Sequence, residues 1–342
     1  MTSGRSSLSE DQIAERGARM ARRDDREYRE YVREEQRSQP GCPAREMALD
    51  QRGQATMLPV PRVDAHQHFW RYDSVEYGWI DDSMAALRRD FLPHDLEPLL
   101  RRAGVQACVA VQARQSLDET RWLLSLADAH PFIAGVVGWV DLQSPAVARD
   151  LESLGRHPKL AGIRHIAQSE PDDRFLLRPA FLRGLERLEE FGLAYDVLIY
   201  SRHLPVAAEL AQRLPRQRFA LDHLAKPDIR GREREAWARD LRALAAQPNV
   251  VAKLSGLITE ADWTGWTPQD MYPYLDEAFE CFGPERLMIG SDWPVCTVAG
   301  DYERTMAAVT NYLARRPSHE RDAVLGGNAI RFWNLQVPVT HA

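Results

Sequence analysis

From Leu58 onward the chain alternates short apolar runs with amphipathic stretches. The apolar runs fall at 60–66, 106–112, 133–140, 160–165, 194–199, 219–222, 250–254 and 287–290. They are short, rich in Val, Ile and Leu, and apolar on both faces, as a parallel sheet buried on both sides requires. Each is followed by a stretch whose apolar residues recur every three or four positions, the period of a helix with one buried face. These stretches cover 96–103, 117–129, 146–154, 180–191, 204–214, 233–246, 269–282 and 302–315. Eight strand–helix units over about 280 residues predict an α/β chain folded as a (β/α)8 TIM barrel. A doubly wound open sheet is the competing arrangement. It normally carries a Gly-rich phosphate turn after an early strand, and no G-x-G-x-x-G is present. Near the end, Gly326, Gly327, Asn328 and Ala329 precede Ile330, Arg331, Phe332 and Trp333, which reads as a final helix with Asn328 as its N-cap.

The first 56 residues follow a different pattern. The segment 10–37 is dense in Arg, Glu and Asp and has few large apolar residues. Such a stretch buries too little surface to offset its ordering entropy. Within it, 13–35 could form a solvated helix held by i,i+4 charge pairs, broken by Pro40, Gly41 and Pro43. The expected organisation is a charged N-terminal extension over 1–56, disordered or helical and without a catalytic part, and a barrel over 57–342. A partner-binding arm is the alternative role for the extension.

Composition narrows the function classes. Of 342 residues, 44 % are hydrophobic, which is ordinary for a chain with a sizeable core. The formal net charge of −6 argues against a nucleic-acid partner. No run approaches the roughly 18 apolar residues of a membrane span, and no apolar segment near the N-terminus resembles a secretory signal. Cys42, Cys108, Cys281 and Cys296 are scattered, without Cys-x-x-Cys spacing. They read as reduced thiols of a cytoplasmic protein, three of them in the core. An oligomer is possible.

The chemistry-bearing residues gather at the C-terminal ends of the strands, where barrel active sites lie. His66 and His68 end the first strand, two residues apart and so on one face, where paired imidazoles can grip a metal ion or polarise a substrate oxygen. The second strand ends at Gln112 and Arg114, and the fourth at Arg164 and His165. Asp222 and His223 end the sixth strand, Lys253 and Ser255 the seventh, and Asp292 the eighth. Burying such groups unpaired costs roughly 1–3 kcal/mol each, so their convergence points to a site. Two aromatic insertions flank it. One, 70–93, holds Trp70, Tyr72, Tyr77, Trp79 and Phe91; the other, 263–274, holds Trp263, Trp266, Tyr272 and Tyr274. Such loops suggest a lid over a compact polar ligand.

These motifs resemble the amidohydrolase superfamily, in the amidohydrolase-2 group that includes bacterial L-fuconolactonases and L-rhamnonolactonases. The resemblance spans about Pro59 to Leu335. It rests on Asp-Ala-His-Gln-His-Phe-Trp (64–70), Tyr-Gly-Trp-Ile (77–80), Asp-Phe-Leu-Pro (90–93), Val-Gln-Ala-Arg (111–114) and Gly-Ile-Arg-His (162–165). Leu-Asp-His-Leu-Ala-Lys-Pro (221–227), Lys-Leu-Ser-Gly-Leu (253–257) and Gly-Ser-Asp-Trp-Pro-Val (290–295) complete it.

The resemblance implies hydrolysis of a sugar lactone, L-fuconolactone-like, to the aldonic acid. The superfamily's strand-1 pair maps to His66 and His68, its strand-6 His to His223 and its strand-8 Asp to Asp292. Asp292 is then the general base, and the three histidines stabilise the oxyanion. Substrate contacts fall to Arg164, His165, Gln112 and Lys253, with Trp70, Trp263 and Trp293 walling the pocket. No strand-5 His matches, since Tyr195 to Tyr200 offers an Asp and two Tyr instead, and no strand-4 Lys is present. The implied cofactor is therefore at most one divalent ion, Zn or Mn, on His66, His68 and Asp292, with no organic group. A different lactone, such as L-rhamnonolactone or a dicarboxylate lactone, is the alternative, as is metal-dependent amide hydrolysis or decarboxylation. A catalytically inactive sugar-acid sensor would be expected to lack Asp292 or the His pair.

Overall fold

The computed structural model describes residues 59–337 and the backbone of Met47–Leu49 and Ala55–Met57. The chain divides into two units, Met1–Val60 and Pro61–Ala342. In the first, the two short strands pair antiparallel, with Met47 opposite Met57 and Leu49 opposite Ala55. The helix expected over 13–35, and Cys42, lie outside the described residues.

The second unit holds eight parallel strands: β1 (Val63–Gln67), β2 (Ala107–Val111), β3 (Ile133–Gly138), β4 (Leu160–His165), β5 (Ala194–Val197), β6 (Phe219–Leu221), β7 (Val250–Leu254) and β8 (Leu287–Ile289). Each pairs in parallel with the next. The ring is completed past the strand ends, where Gln67 bridges Trp293 in parallel and the Asp292 N–H donates to His66 O at 2.8 Å. Eight helices follow the strands: α1 (Pro93–Ala103), α2 (Leu117–Ala129), α3 (Val147–Leu154), α4 (Pro179–Glu190), α5 (Leu204–Arg213), α6 (Glu235–Ala245), α7 (Pro268–Phe282) and α8 (Tyr302–Leu313). This is the expected (β/α)8 barrel. Several strands stop one or two residues short of their expected ends, because the backbone there leaves the ladder to build the turns of the site. Thus β6 ends at Leu221 because Asp222 already begins a tight turn.

The strands are buried on both faces, and two apolar clusters cover them. The larger joins outward residues such as Cys108, Ile163, Phe219 and Leu254 to the apolar faces of the helices. The smaller gathers Val63, Ala65, Ala107, Val109, Ala194 and Ala220 with Trp333 and Leu335 of the C-terminal segment.

That C-terminal segment corrects one expectation. Helix α9 (Ser318–Asp322) continues through a wide turn, Ala323–Gly327, into α10 (Asn328–Trp333). Asn328 therefore lies inside a continuous helical run and is not an N-cap. Its Nδ2 instead donates to Pro284 O at 2.7 Å and Leu287 O at 2.6 Å, tying the helix to the start of β8. The run passes so close to the barrel that a Cβ on Gly326 would lie 1.9 Å from Pro61 O. No helix among the described residues is long and apolar enough to cross a membrane.

Candidate active site

The site begins with a stitch between β1 and β8. The Ser291 N–H and hydroxyl donate to Asp64 at 2.9 and 2.6 Å, and the Tyr302 hydroxyl adds a third bond at 3.1 Å. Burial pushes the Asp64 carboxyl up to about 6 despite these donors. The stitch sets Asp292 opposite the His pair. The β1–β2 register shifts between Asp64 and Gln67, an irregularity of the kind that re-aims side chains next to active sites.

His66 and His68 converge as expected, with their Nε2 atoms 3.2 Å apart. His68 Nδ1 lies 2.8 Å from Val111 O. A carbonyl only accepts, so Nδ1 carries a proton and Nε2 is the nitrogen turned toward Asp292. Asp292 Oδ1 lies 3.3 Å from His68 Nε2, 3.7 Å from His66 Nε2 and 3.9 Å from His223 Nε2. His223 is anchored by a 2.9 Å bond between Nδ1 and Ser255 Oγ.

Beneath this floor lies a buried charge network. Lys253 Nζ sits between Asp196 and Asp222, 2.9 Å from Asp222 Oδ1, and 3.2 Å from His66 Nδ1. Asp222 also meets Arg164 at 3.0 Å and His66 Nδ1 at 3.2 Å. Burial opposes the ionisation of Asp222, yet Lys253, His66 and Arg164 hold its carboxyl well below the usual range. Burial pushes Asp196 up to about 6, although Lys253 opposes the shift. Burial also lowers His66 far below the ordinary imidazole value and His223 to about 4, so both rings are neutral at pH 7. Asp292 resists burial through His223, the His68 hydrogen bond and His66, and its carboxyl stays well below the usual carboxylate range.

Two imidazole nitrogens and a carboxylate oxygen, from His66, His68 and Asp292, thus lie within 4.8 Å of one another. This mixed N/O set suits Zn or Mn. The outer ring nitrogens are oriented by Val111 O and Asp222, the support that metal-ligating histidines generally have. The donors therefore fit one divalent cation. A second grouping, His66, Asp222 and His223, shares His66, and its Asp222 is already engaged by Lys253 and Arg164.

Above the floor opens a cavity of about 710 Å³. Of the residues singled out from sequence at the strand ends, His68, Arg114, Arg164, His223 and Asp292 line it, as does Trp263. His66 is fully buried just below. The others face elsewhere. Gln112 is spent on Arg164, donating to its carbonyl at 3.1 Å. Lys253 is sealed in the charge network. His165 stacks on Phe175 at 4.6 Å and meets Glu170 at 2.7 Å. Trp70 is buried against Tyr77 and Phe91 with its N–H on Arg89 O, and Trp293 packs on Phe69 and Phe91. These two rings support the loops from below, and Trp79 from the same insertion lines the cavity instead. Sequence reasoning missed Lys226, Glu260 and Tyr200 on the wall. Lys226 stands in the 221–227 motif and was legible as polar; nothing in the pattern marked Glu260.

A family model for amidohydrolases matches residues 63–335. An L-fucono-1,5-lactonase of Burkholderia multivorans is 43 % identical over 288 residues, covering 81 % of this chain and 97 % of the relative. A second L-fucono-1,5-lactonase, from Burkholderia ambifaria, is 42 % identical over 283 residues with the same coverage. A crystal structure of an amidohydrolase from Burkholderia multivorans with bound zinc superposes with a TM-score of 0.78 at 42 % identity, covering 81 % of this chain and all of that one. With its barrel, its strand-end His pair and a match that spans most of its length, the chain belongs to the amidohydrolase family.

Proposed function

We propose that the protein hydrolyses a sugar lactone, L-fucono-1,5-lactone or a close stereochemical relative, to the aldonic acid. The reading is carried by one observation: an ionised Asp292 faces the cavity between His68 and His223. The 42–43 % identity to L-fucono-1,5-lactonases, across nearly their whole length, supports the choice of substrate.

Asp292 takes a proton from a water whose oxygen bonds to the lactone carbonyl carbon. His223, with Nδ1 accepting from the Ser255 hydroxyl, presents its Nε2–H to the oxyanion that develops. The bond from that carbon to the ring oxygen then breaks. Asp292 returns its proton to the departing oxygen, leaving the carboxylic acid and a free hydroxyl. Arg164, fixed by Asp222, keeps a positive charge beside the developing anion. A divalent cation held by His66, His68 and Asp292 would supply Lewis-acid polarisation of the carbonyl and acidify nearby water. Asp196, at the strand-5 position, is committed to Lys253, which favours one cation over two.

The test is acid release from a panel of aldonolactones, followed with a pH indicator, using enzyme supplied with Zn²⁺ or Mn²⁺. L-Fucono-1,5-lactone should lead the panel with kcat/KM at or above about 10⁴ M⁻¹s⁻¹. If no lactone of the panel is opened faster than in buffer, the reading is wrong.

A further inference from the structure

The wall of the cavity carries a lysine and a glutamate that the hydrolytic steps leave unused. Lys226 and Glu260 both line it, with Nζ 3.9 Å from Oε1, beyond hydrogen-bond range. The Lys226 ammonium also lies 5.5 Å from the centre of the Tyr200 ring. Among the described residues no side-chain hydrogen bond reaches either charged group. The two side chains are only 19 % and 25 % exposed, and what remains open of them faces the cavity. The other cations of the cavity are committed, Arg164 to Asp222 and Arg114 to Glu76 in close ion pairs.

The backbone behind Lys226 is unusual. His223, Leu224, Ala225 and Lys226 have φ of 54°, 49°, 59° and 52°. Four consecutive left-handed residues, none of them Gly, are costly because each Cβ crowds its carbonyl. The turn persists because its carbonyls are held. Ser201 Oγ donates to Ala225 O and Lys226 O at 2.9 and 3.0 Å, and Trp237 Nε1 donates to Leu224 O at 2.8 Å. Strain that the surroundings over-determine in this way gathers at functional sites. Here it brings both His223 and Lys226 to the wall of one cavity.

We propose that Lys226 and Glu260 clamp a hydroxyl group of the lactone and so set a preference for hydroxylated over unsubstituted rings. A hydroxyl is donor and acceptor at once: its oxygen accepts from the Lys226 ammonium while its hydrogen goes to Glu260. Two hydrogen bonds meeting at one oxygen span about 4–4.5 Å, close to the observed gap. The pair is neutral overall, which suits a neutral polyol, whereas an extra carboxylate on the substrate would meet Glu260. The proposal rests on the lactone-hydrolysis reading.

The experiment compares kcat/KM for L-fucono-1,5-lactone and for unsubstituted δ-valerolactone in the wild type, K226M and E260Q. A site built to hydrogen-bond a hydroxyl strongly rejects the analogue lacking it. The wild type should therefore favour the sugar lactone, and the ratio should fall at least about tenfold in each variant. Circular dichroism and melting establish folding, and E260Q carries the test if K226M does not fold. An unchanged ratio in a folded variant overturns the clamp and leaves lactone hydrolysis standing. A wild type inactive on both compounds and on the rest of the aldonolactone panel overturns the lactonase reading, and the clamp with it.

Discussion

At the scale of single residues, the site divides into a group that moves a proton and groups that hold it in place. Asp292 faces the cavity, ionised, with His68 and His223 beside it. Asp292→Asn keeps the shape and removes the proton acceptor. Turnover should fall by about 10²–10⁴ while KM changes little. Steady-state kinetics on the best lactone of the panel check this, and near-normal turnover would shift the role to another carboxylate. Lys253 belongs to the second kind. It is fully buried between Asp196 and Asp222 and does not line the active-site cavity. Lys253→Met strands two buried carboxylates with Arg164 as the nearby cation. Breaking a buried pair in this way typically costs about 3–5 kcal/mol. Urea unfolding should show that loss, and the double variant with Asp196→Asn should recover part of it. A small effect would mean that Asp196 takes up a proton once Lys253 is gone, as a carboxyl that burial has already raised to about 6 readily does.

At the scale of elements, the turns after the strands do more than connect. The left-handed turn that ends β6 is complemented by Gly256 after β7, itself at φ 61°. A Cβ there would lie 2.5 Å from His223 Nδ1 and 2.7 Å from Cγ. Gly256→Ala should therefore displace the His223 ring, break its bond to Ser255 and strain the backbone, the strain costing about 1–3 kcal/mol. We expect kcat/KM to drop at least about tenfold, with a melting temperature lowered by a few degrees. A variant with unaltered turnover would show that the position of His223 does not matter to the reaction. These turns are also where sequence reading stopped. The runs 160–165 and 250–254 and the helix 117–129 coincide with the observed elements, because hydrophobic periodicity reports burial directly. The run of positive φ from His223 to Lys226 contains no Gly or Asn, so no residue type announced it. Trp70 and Trp79 were likewise indistinguishable as letters. Only packing shows that the first props the loop and the second meets the cavity.

At the scale of the whole molecule, the chemistry-bearing residues were legible because barrel topology sends every strand end to one rim. Charged residues closing otherwise apolar strands had nowhere else to converge. What was not legible was the division of that set into a layer that lines the cavity and a layer sealed beneath it, as Gln112 and Lys253 are. Strand-end position is shared by both layers, and three-dimensional depth is not written in one strand's pattern. None of these residues comes from the N-terminal 56. The amidohydrolase match begins at residue 63, and the L-fucono-1,5-lactonases align along 97 % of their own length while leaving about a fifth of this chain unmatched. Every residue placed at the site, from His66 to Asp292, lies within the matched span. The segment 10–37 is dense in charge and poor in large apolar residues, so it has little surface with which to stabilise a core. Removal of residues 1–56 should therefore leave kcat/KM on the preferred lactone within a few-fold of the full chain and shift the melting temperature by no more than a few degrees. Both are read on the truncated and full-length proteins purified side by side. A truncated protein that is insoluble, or one whose turnover collapses while its circular dichroism still reports a folded barrel, would make the extension part of the working enzyme.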